Sequence, residues 1–203
     1  LGLSSRTVAM NCAEPVRAET LERFVEYFGE CGFKLKYFCP AYALAEGTLI
    51  LSTTFKNDEP VIKRFSDFEL EKNFKAVDVN DDITESKRHV GHSHAIGDTR
   101  IAIVNPKTLI ECKDGEVGEI WASGFSIAKG YWRKEEATKE TFKAFIADTN
   151  EGPFLRTGDL GFTVDDELYI TGRLKDLIII RGQNYFPQDI EDTVHASHPA
   201  LRL

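Results

Sequence analysis

Two short apolar segments separated by a charged pentapeptide constrain the fold of this chain more than any other feature. The first segment, Glu167–Thr171, is amphipathic, and the second, Leu177–Arg181, begins with four consecutive apolar residues. A continuous apolar, β-branched run predicts a strand that is buried on both faces. The intervening Gly172–Asp176 contains Arg, Lys and Asp. Taken alone, this pattern favours a simple hairpin with a charged turn, because turns are usually polar.

A second feature lies just upstream, where Thr157-Gly158-Asp159 places a lone carboxylate on a predicted glycine turn. A carboxylate accepts hydrogen bonds through both oxygens, which suits a diol such as a ribose. Asp159 is therefore a candidate ligand-binding residue.

These segments resemble those of the adenylate-forming superfamily, which includes acyl-CoA ligases, luciferases and the adenylation domains of peptide synthetases. The resemblance lies in RTGDLG (Arg156–Gly161) and GRLKDLIIIRGQN (Gly172–Asn184), and NYFPQDIE (Asn184–Glu191) is most similar to the fatty acyl-AMP ligases. It extends over nearly the whole chain, so it is more specific than one short motif.

Composition narrows the class of protein. The 203 residues carry a net charge of −8, which argues against a nucleic-acid partner, and no run has the ~18 apolar residues of a membrane helix. The N-terminus has no basic region followed by an apolar one, so no signal peptide is predicted. The four cysteines lack CxxC spacing, and free thiols in a cytoplasmic protein are expected. The absence of an initial Met suggests an internal fragment.

The beginning of the chain predicts a strand, a turn and a helix. Thr7–Met10 is expected to be a buried strand, and Pro15 is expected to open a helix whose apolar face includes Leu21 and Phe28. By resemblance, the turn Cys12-Ala13-Glu14 corresponds to a Gly-Ala-Glu that borders adenine. Cys12 stands in place of the glycine, which bears on how closely the backbone approaches the base.

The segment Phe38–Gly47 brings an aromatic residue and a carboxylate into one loop. Taken alone, Tyr42 is equally well read as a half-buried residue at the end of a strand. By resemblance to the sequence YGLAEAT, Tyr42 stacks on adenine and Glu46 holds Mg²⁺ on the ATP phosphates, because carboxylates are suitable hard ligands for that ion. Ala45 is tolerated in this branch, whereas Ala43 and Gly47 each depart from the family pattern.

Leu49–Thr53 is predicted to be a further strand, and residues 55–90 after it are polar and weakly periodic. A stretch this long inside a domain is usually an insertion or a mobile element. In the acyl-AMP ligases, an insertion here is thought to hinder the small domain from reaching its CoA-transfer position, and residues 56–88 are hypothesised to include it. His89, His92 and His94 follow, but a zinc site needs about four ligands, so exposed histidines at a domain edge are the preferred interpretation.

From Asp98 onward, short strands such as Arg100–Asn105 and Glu116–Ser123 suggest a small β-barrel or sheet subdomain. Tyr131 and Trp132 are expected to be core residues, and Lys134–Phe145 is expected to be helical. The predicted fold is α/β: part of the large adenylate-forming domain, a mixed sheet with helices plus a β-barrel-like subdomain, followed by the start of a small α+β domain. The predicted divisions are 1–97, 98–173 and 174–203.

By resemblance, Asp159 accepts the ribose hydroxyls, Arg173 contacts the ribose or phosphate side of AMP, and Lys175 lies at the hinge between the domains. Arg181 and Gln183 would belong to the loop that moves. Glu46 and Arg173 are the candidate catalytic residues. The binding residues are Cys12, Ala13, Glu14, Tyr42, Ala43, Ala45, Asp159, Arg173 and Lys175.

The implied function is a ligase reaction that uses ATP and Mg²⁺ to activate a fatty acid as acyl-adenylate, for transfer to an acyl carrier protein. Two alternatives stay open: a CoA ligase of the same superfamily, and a non-catalytic adenylate-binding module. The phosphate loop is expected upstream of Leu1 and the catalytic lysine beyond Leu203. The isolated chain is therefore expected to be inactive.

Overall fold

The computed structural model describes residues 2–5, 8–181, 183–198 and 200–201. Among these residues, no helix is long and apolar enough to cross a membrane. The strands and α-helices of the described part follow in chain order: β1 (Ala9–Asn11), α1 (Ala18–Phe28), β2 (Phe38–Leu44), β3 (Leu49–Thr53), β4 (Ile62–Ser66), α2 (Asp67–Asn73), β5 (Ser86–Val90), β6 (His94–Ala95), β7 (Arg100–Val104), β8 (Gly118–Ser123), α3 (Glu135–Phe142), β9 (Leu155–Val164), β10 (Glu167–Arg173), β11 (Ile178–Ile180), β12 (Gln183–Tyr185) and α4 (Pro187–Ser197).

A mixed sheet forms the first part of the fold, with strand order β1-β2-β3-β6. Strand β1 is parallel to β2, and α1 lies in the connection between them, whereas β2, β3 and β6 pair antiparallel. The predicted strand–turn–helix unit is therefore confirmed. Its details differ, because Met10 is 50% exposed and α1 begins at Ala18, three residues after Pro15. The prediction of a buried first strand is wrong for Val8 and Met10, and Thr7 lies outside the described residues.

The polar segment after β3 contains regular structure. Strands β4 and β5 pair antiparallel over five residues each, and α2 lies between them in the chain. Ser66 caps α2 by accepting a hydrogen bond from the backbone N–H of Glu69. Phe65 is fully buried and Leu70 is 4% exposed, and both belong to the same apolar cluster as Phe162 and Tyr169. The segment is thus packed against the β-rich part of the chain.

A four-stranded antiparallel sheet follows, with order β10-β9-β8-β7. Of the barrel and sheet alternatives, the described residues form a sheet. Alternating side chains of its strands enter apolar clusters, and the largest buried side chain is Trp121. Helix α3 ends at Phe142, so the helix expected over Lys134–Phe145 is shorter than predicted, and Phe145 lies outside it and is 44% exposed.

The segment around Ile178–Ile180 differs most from its prediction. Among the described residues, strand β11 pairs with β12 alone, and Ile178, Ile179 and Ile180 are 39%, 66% and 53% exposed. The prediction of a strand buried on both faces is therefore wrong in this structure, because a two-stranded ribbon has no further layer to cover these side chains. Helix α4 does begin at Pro187, as predicted from proline's suitability for the first helical turn.

Candidate active site

Asp159 lies at the centre of the candidate site. It is in strand β9, after Gly158, whose φ of +74° bends the strand in a way that suits glycine. The prediction of a separate turn is therefore wrong, and the glycine lies within a strand. The hydroxyl of Tyr42 donates a hydrogen bond to Oδ2 of Asp159 at 2.7 Å, and Nε of Arg173 lies 3.2 Å from Oδ1.

Three elements bring these side chains together. Tyr42 lies on β2, Asp159 on β9 and Arg173 at the end of β10, directly opposite Asp159 in the β9–β10 register. A register shift between Tyr42 and Ala43 marks a bulge in the β2–β3 pairing. Bulges re-aim side chains and are common beside active sites.

The electrostatics of this cluster keep Tyr42 protonated and Asp159 available as an acceptor. Burial, and then the charge of Asp159, raise the pKa of Tyr42 well above its ordinary value. Burial also raises the pKa of Asp159, although the Tyr42 hydroxyl and Arg173 act in the opposite direction. The side chain of Arg173 is 60% exposed, so it is accessible to a ligand above the carboxylate.

A cavity of about 290 Å³ opens beside this cluster. Six of the ten predicted site residues line it: Ala13, Glu14, Tyr42, Ala43, Asp159 and Arg173. The other four, Cys12, Ala45, Glu46 and Lys175, are not among the lining residues that the structure describes. Three of these four residues, Ala45, Glu46 and Lys175, lie on the 3-10 turns Ala45–Gly47 and Leu174–Asp176. Both turns are close in sequence to residues that line the cavity.

The backbone conformation of the turn after β1 shows which residue of Cys12-Ala13-Glu14 stands where glycine would be favoured. Ala13 adopts the left-handed conformation, with φ of +83°. The position that would favour glycine on backbone grounds is therefore Ala13 rather than Cys12. Cys12 lines a neighbouring surface cavity together with Ala13 and Glu14.

Glu46 and Tyr131 are joined by a hydrogen bond that the sequence did not reveal. The Tyr131 hydroxyl donates to Oε1 of Glu46 at 2.7 Å. Tyr131 is 38% exposed and Trp132 is 85% exposed, so the expectation that both are core residues is wrong. The loop that carries them lies over the Glu46 turn, and the Ala128 N–H donates to the Glu46 carbonyl at 2.8 Å.

Glu119 is a second residue that sequence reasoning missed. It is only 2% exposed, and its Oε2 accepts hydrogen bonds from Nε1 of Trp121 at 2.9 Å and Nη2 of Arg156 at 2.7 Å. Its Oε1 accepts from the Gly158 N–H at 3.2 Å. This buried carboxylate therefore holds the backbone immediately before Asp159. The signal in the sequence is a single acidic residue within the apolar strand that carries Trp121.

The three histidines occupy different environments. His94 is exposed as expected and stacks on Phe55, with ring centroids 5.4 Å apart. His92 is only 3% exposed and lines the cavity beside Tyr42, and burial lowers the pKa values of both His89 and His92 to about 4. The expectation of exposed histidines is therefore wrong for these two residues, because His89 lies within β5 and is partly buried, and His92 lies two residues after that strand and is buried. Among the described residues, no group of three or more potential ligands is placed to hold a metal ion.

The depressed pKa of His92 predicts a pH dependence of stability. Because the folded pKa of about 4 lies below the unfolded value of 6.5, the unfolded chain binds more protons as the pH falls between these values. We expect the free energy of unfolding to fall by roughly 2 kcal/mol from this residue between pH 7 and pH 5. Denaturant unfolding at several pH values measures this slope, and His92→Gln should make it shallower. An unchanged slope in that variant would contradict the assignment.

The residue types around the cavity fit an adenosine phosphate. Tyr42 provides an aromatic ring, Asp159 provides the acceptor that suits a ribose diol, and Arg173 provides a cation for a phosphate. The carboxylate of Glu46 is close enough to repel that of Asp159, and this repulsion makes a small contribution to the raised pKa of Asp159. Carboxylate oxygen is also the ligand type that Mg²⁺ prefers.

Comparison with known proteins identifies the family. The model of the family described as AMP-binding enzyme matches residues 2–132. The chain is 49% identical, over its full length, to the medium-chain-fatty-acid–[acyl-carrier-protein] ligase JamA of Moorena producens, and it spans 34% of that relative.

Solved structures agree with this comparison. A structure from a study of fatty acyl-adenylate ligases from E. coli and L. pneumophila matches 100% of the chain and 35% of its own, with a TM-score of 0.87 and 37% identity. The fatty acyl-adenylate ligase of L. pneumophila in complex with acyl adenylate and pyrophosphate matches 97% of the chain and 34% of its own, with a TM-score of 0.81 and 42% identity. The chain thus spans about a third of the length of these proteins. It belongs to the AMP-binding enzyme family.

Proposed function

We propose that the protein activates a fatty acid with ATP, forming an acyl-adenylate and releasing pyrophosphate. The observation that carries this proposal is the cluster of Tyr42, Asp159 and Arg173 at the edge of one cavity. The choice of a fatty acid is supported by the similarity of the chain to JamA, a medium-chain-fatty-acid ligase, and to the fatty acyl-adenylate ligases of similar structure. Because the chain spans about a third of these relatives, the activity is proposed for the longer protein.

The reaction joins one oxygen of the fatty acid carboxylate to the α-phosphorus of ATP. The bond from that phosphorus to the bridging oxygen breaks, and pyrophosphate leaves with the bonding electrons. Asp159 would accept hydrogen bonds from the two ribose hydroxyls in exchange for part of its contact with Tyr42. Arg173 would lie on the ribose or phosphate side of AMP. These residues contribute chiefly by positioning the nucleotide and by offsetting charge that develops on phosphate oxygens.

Glu46 is the proposed ligand for Mg²⁺. When bound, the ion would offset charge on the phosphates and hold the ATP in a reactive orientation. Lys175 would lie at the hinge, where a change of backbone angles lets a small domain close over the site and exclude water. Arg181 and Gln183 would belong to the loop that this movement displaces. The remaining predicted contacts, Cys12, Ala13, Glu14, Ala43 and Ala45, are proposed to border the nucleotide through their backbone.

We further propose that the acyl group passes to the thiol of an acyl carrier protein. In that step the thiol sulfur bonds to the acyl carbonyl carbon, AMP leaves and the thiol proton is released to solvent. JamA is named for transfer to this acceptor, and it is 49% identical to the chain. A CoA ligase is the alternative, because CoA carries the same kind of thiol.

Residues 56–88 contact strand β12 and the residues that follow it, and these contacts support the carrier-protein proposal. Nε2 of Gln183 donates to Oε2 of Glu71 at 2.8 Å, and Nδ2 of Asn184 donates to the Glu71 carbonyl at 2.6 Å. Lys87 Nζ lies 2.6 Å from Asp189 Oδ1, and Phe186 is buried in the cluster that contains Leu70. These contacts would oppose the rotation that presents the site to CoA.

Loosening these contacts should increase acyl-CoA formation. We expect a protein with Lys87→Ala and Gln183→Ala to form acyl-CoA about 5-fold faster than the unaltered protein. Coupling free energies between two sites of a protein are typically about 1–3 kcal/mol, and a 5-fold change corresponds to the lower end of that range. Acyl-adenylate formation should be unchanged. The matched control is Lys56→Ala, an exposed cation at the start of the same segment. If acyl-CoA formation did not rise in the double variant, residues 56–88 would have no blocking role.

Isotope exchange between pyrophosphate and ATP tests the adenylation step. The proposal predicts exchange that depends on an added fatty acid and on Mg²⁺. A protein that binds AMP but supports no exchange with fatty acids of any length would instead be a non-catalytic adenylate-binding module. Such a result would overturn the proposed reaction.

A further inference from the structure

We propose that Tyr131 is a positioning residue that fixes the carboxylate of Glu46 for metal binding. This inference rests on the proposed function, in which Glu46 holds the divalent cation of the nucleotide. The geometry that carries it is the hydrogen bond of 2.7 Å from the Tyr131 hydroxyl to Oε1 of Glu46, between residues 85 positions apart in the chain.

Tyr131 is itself held in place by helix α3. Its ring packs edge-on against the buried Phe142, with centroids 5.1 Å apart at an angle of 75°. Its backbone N–H donates to Oγ1 of Thr138 at 2.9 Å, and its carbonyl accepts from the Lys134 N–H at 3.2 Å. The phenol therefore approaches Glu46 from a fixed support.

The residue before Tyr131 makes this support close-fitting. Gly130 has a φ of +147°, and a Cβ added there would lie 2.2 Å from Cγ2 of Thr138. Only glycine lets the loop approach α3 at this point. The backbone conformation of Gly130 therefore helps to fix the course of the loop Gly124–Trp132, the aromatic loop, past Glu46.

Glu46 lies on a short turn that needs outside support. The turn Ala45–Gly47 is a single 3-10 turn, and Thr48 and Leu49 after it have φ values of +57° and +94°. Two hydrogen bonds tie this turn and the residue after it to the loop before Tyr131: the Ala128 N–H donates to the Glu46 carbonyl, and the Thr48 hydroxyl donates to the Ser126 carbonyl. Among the described residues, the Tyr131 hydroxyl donates a hydrogen bond to the Glu46 carboxylate, and the oxygen that accepts it is Oε1.

This arrangement leaves Oε2 of Glu46 for a cation. A tyrosine hydroxyl ordinarily keeps its proton at neutral pH, so the phenol of Tyr131 acts as the hydrogen-bond donor to the Glu46 carboxylate. A donor that orients a ligating carboxylate is an outer-shell partner of the metal, and loss of such partners typically weakens metal binding. The proposed role of Tyr131 is therefore exerted through the Glu46 carboxylate.

Metal affinity, rather than turnover, gives the direct test. In the full-length protein with a non-hydrolysable ATP analogue, Mn²⁺ binding measured by electron paramagnetic resonance reports the site, because Mn²⁺ accepts the same oxygen ligands as Mg²⁺. We expect Tyr131→Phe to weaken Mn²⁺ binding about 10-fold, at the lower end for outer-shell partners because Tyr131 is partly exposed. The phenyl ring keeps the contact with Phe142, so folding should be unaffected.

Two further variants distinguish a failure of the proposed Tyr131 role from a failure of the proposed metal site at Glu46. Tyr27→Phe, at a tyrosine that is 79% exposed on α1, is the matched control and should bind Mn²⁺ like the unaltered protein. Glu46→Gln should weaken binding more than Tyr131→Phe does. If Glu46→Gln weakened binding and Tyr131→Phe did not, the positioning role would be overturned while the metal site stood. If Glu46→Gln bound Mn²⁺ normally, both assignments would be wrong.

Turnover then separates this inference from the proposed reaction. In a protein that forms acyl-adenylate, Tyr131→Phe should raise the Mg²⁺ concentration needed for half-maximal rate by about 10-fold, with a rate at saturating Mg²⁺ within about 2-fold of normal. A rate loss that excess Mg²⁺ did not restore would contradict a positioning role. Weakened Mn²⁺ binding in a protein without fatty acid adenylation would support the inference and overturn the proposed substrate.

Discussion

Replacing Asp159 with alanine is expected to lower kcat/KM for ATP by about 100-fold or more. The proposed role of Asp159 is to accept hydrogen bonds from two ribose hydroxyls, and hydrogen bonds to a charged group are worth roughly 1.5–3 kcal/mol each. The change also leaves the buried Tyr42 hydroxyl and the Arg173 guanidinium without their shared acceptor. Steady-state kinetics of adenylate formation with varied ATP measure the effect.

Asp159→Asn serves as the matched control for this prediction. Asparagine keeps the size of the side chain and one oxygen that can accept from Tyr42, but it loses the charge. It should therefore fold normally and still bind ATP weakly. If Asp159→Ala unfolded at the same denaturant concentration as the unaltered protein and used ATP normally, Asp159 would not be the ribose-binding residue.

Replacing Glu119 with alanine is expected to cause the largest loss of stability. The variant leaves Arg156, Trp121 Nε1 and the Gly158 N–H without their acceptor. Breaking a buried ion pair from one side typically costs 3–5 kcal/mol, and because Arg156 remains 34% exposed we expect about 3 kcal/mol. Denaturant unfolding measures the change. The KM for ATP should also rise, because Glu119 holds the backbone that precedes Asp159.

An exposed ion pair in the same sheet provides the comparison. Glu111 pairs with Arg100 at 3.0 Å, and both side chains are more than a third exposed. Exposed pairs are typically worth roughly 0–1 kcal/mol, so Glu111→Ala should change stability little. Equal, small losses from Glu119→Ala and Glu111→Ala would contradict the supporting role of the buried carboxylate.

Local patterns in the sequence predicted much of the fold. The strand–turn–helix unit, the antiparallel strands after Asp98 and the helix opened by Pro187 follow from residue periodicity and helix-start signals, and the structure contains all three. The run Ile178–Ile180 shows the limit of this reasoning. An apolar pattern indicates a tendency to be buried, but it does not state what covers the strand. In the part of the chain that the structure describes, β11 pairs with one neighbouring strand.

The candidate site was predicted in part for a related reason. Resemblance marked Tyr42, Asp159 and Arg173 individually. The structure adds that they meet in one cluster, in which Tyr42 and Asp159 are 117 residues apart in the chain. Glu119 and Tyr131 were missed because their partners, Arg156 and Glu46, are distant in sequence. Hydrogen bonds of this kind depend on how strands and loops pack, and spacing along the chain does not encode them.

The most direct test of the proposed reaction is identification of its product. The full-length protein would be incubated with ATP, Mg²⁺, a medium- or long-chain fatty acid and either CoA or an acyl carrier protein, and the products would be separated and identified by mass spectrometry. The account predicts acyl-AMP, transfer of the acyl group to the carrier protein and little acyl-CoA. Abundant acyl-CoA would contradict the proposed acceptor, and the absence of any acyl-AMP would contradict the proposed chemistry itself.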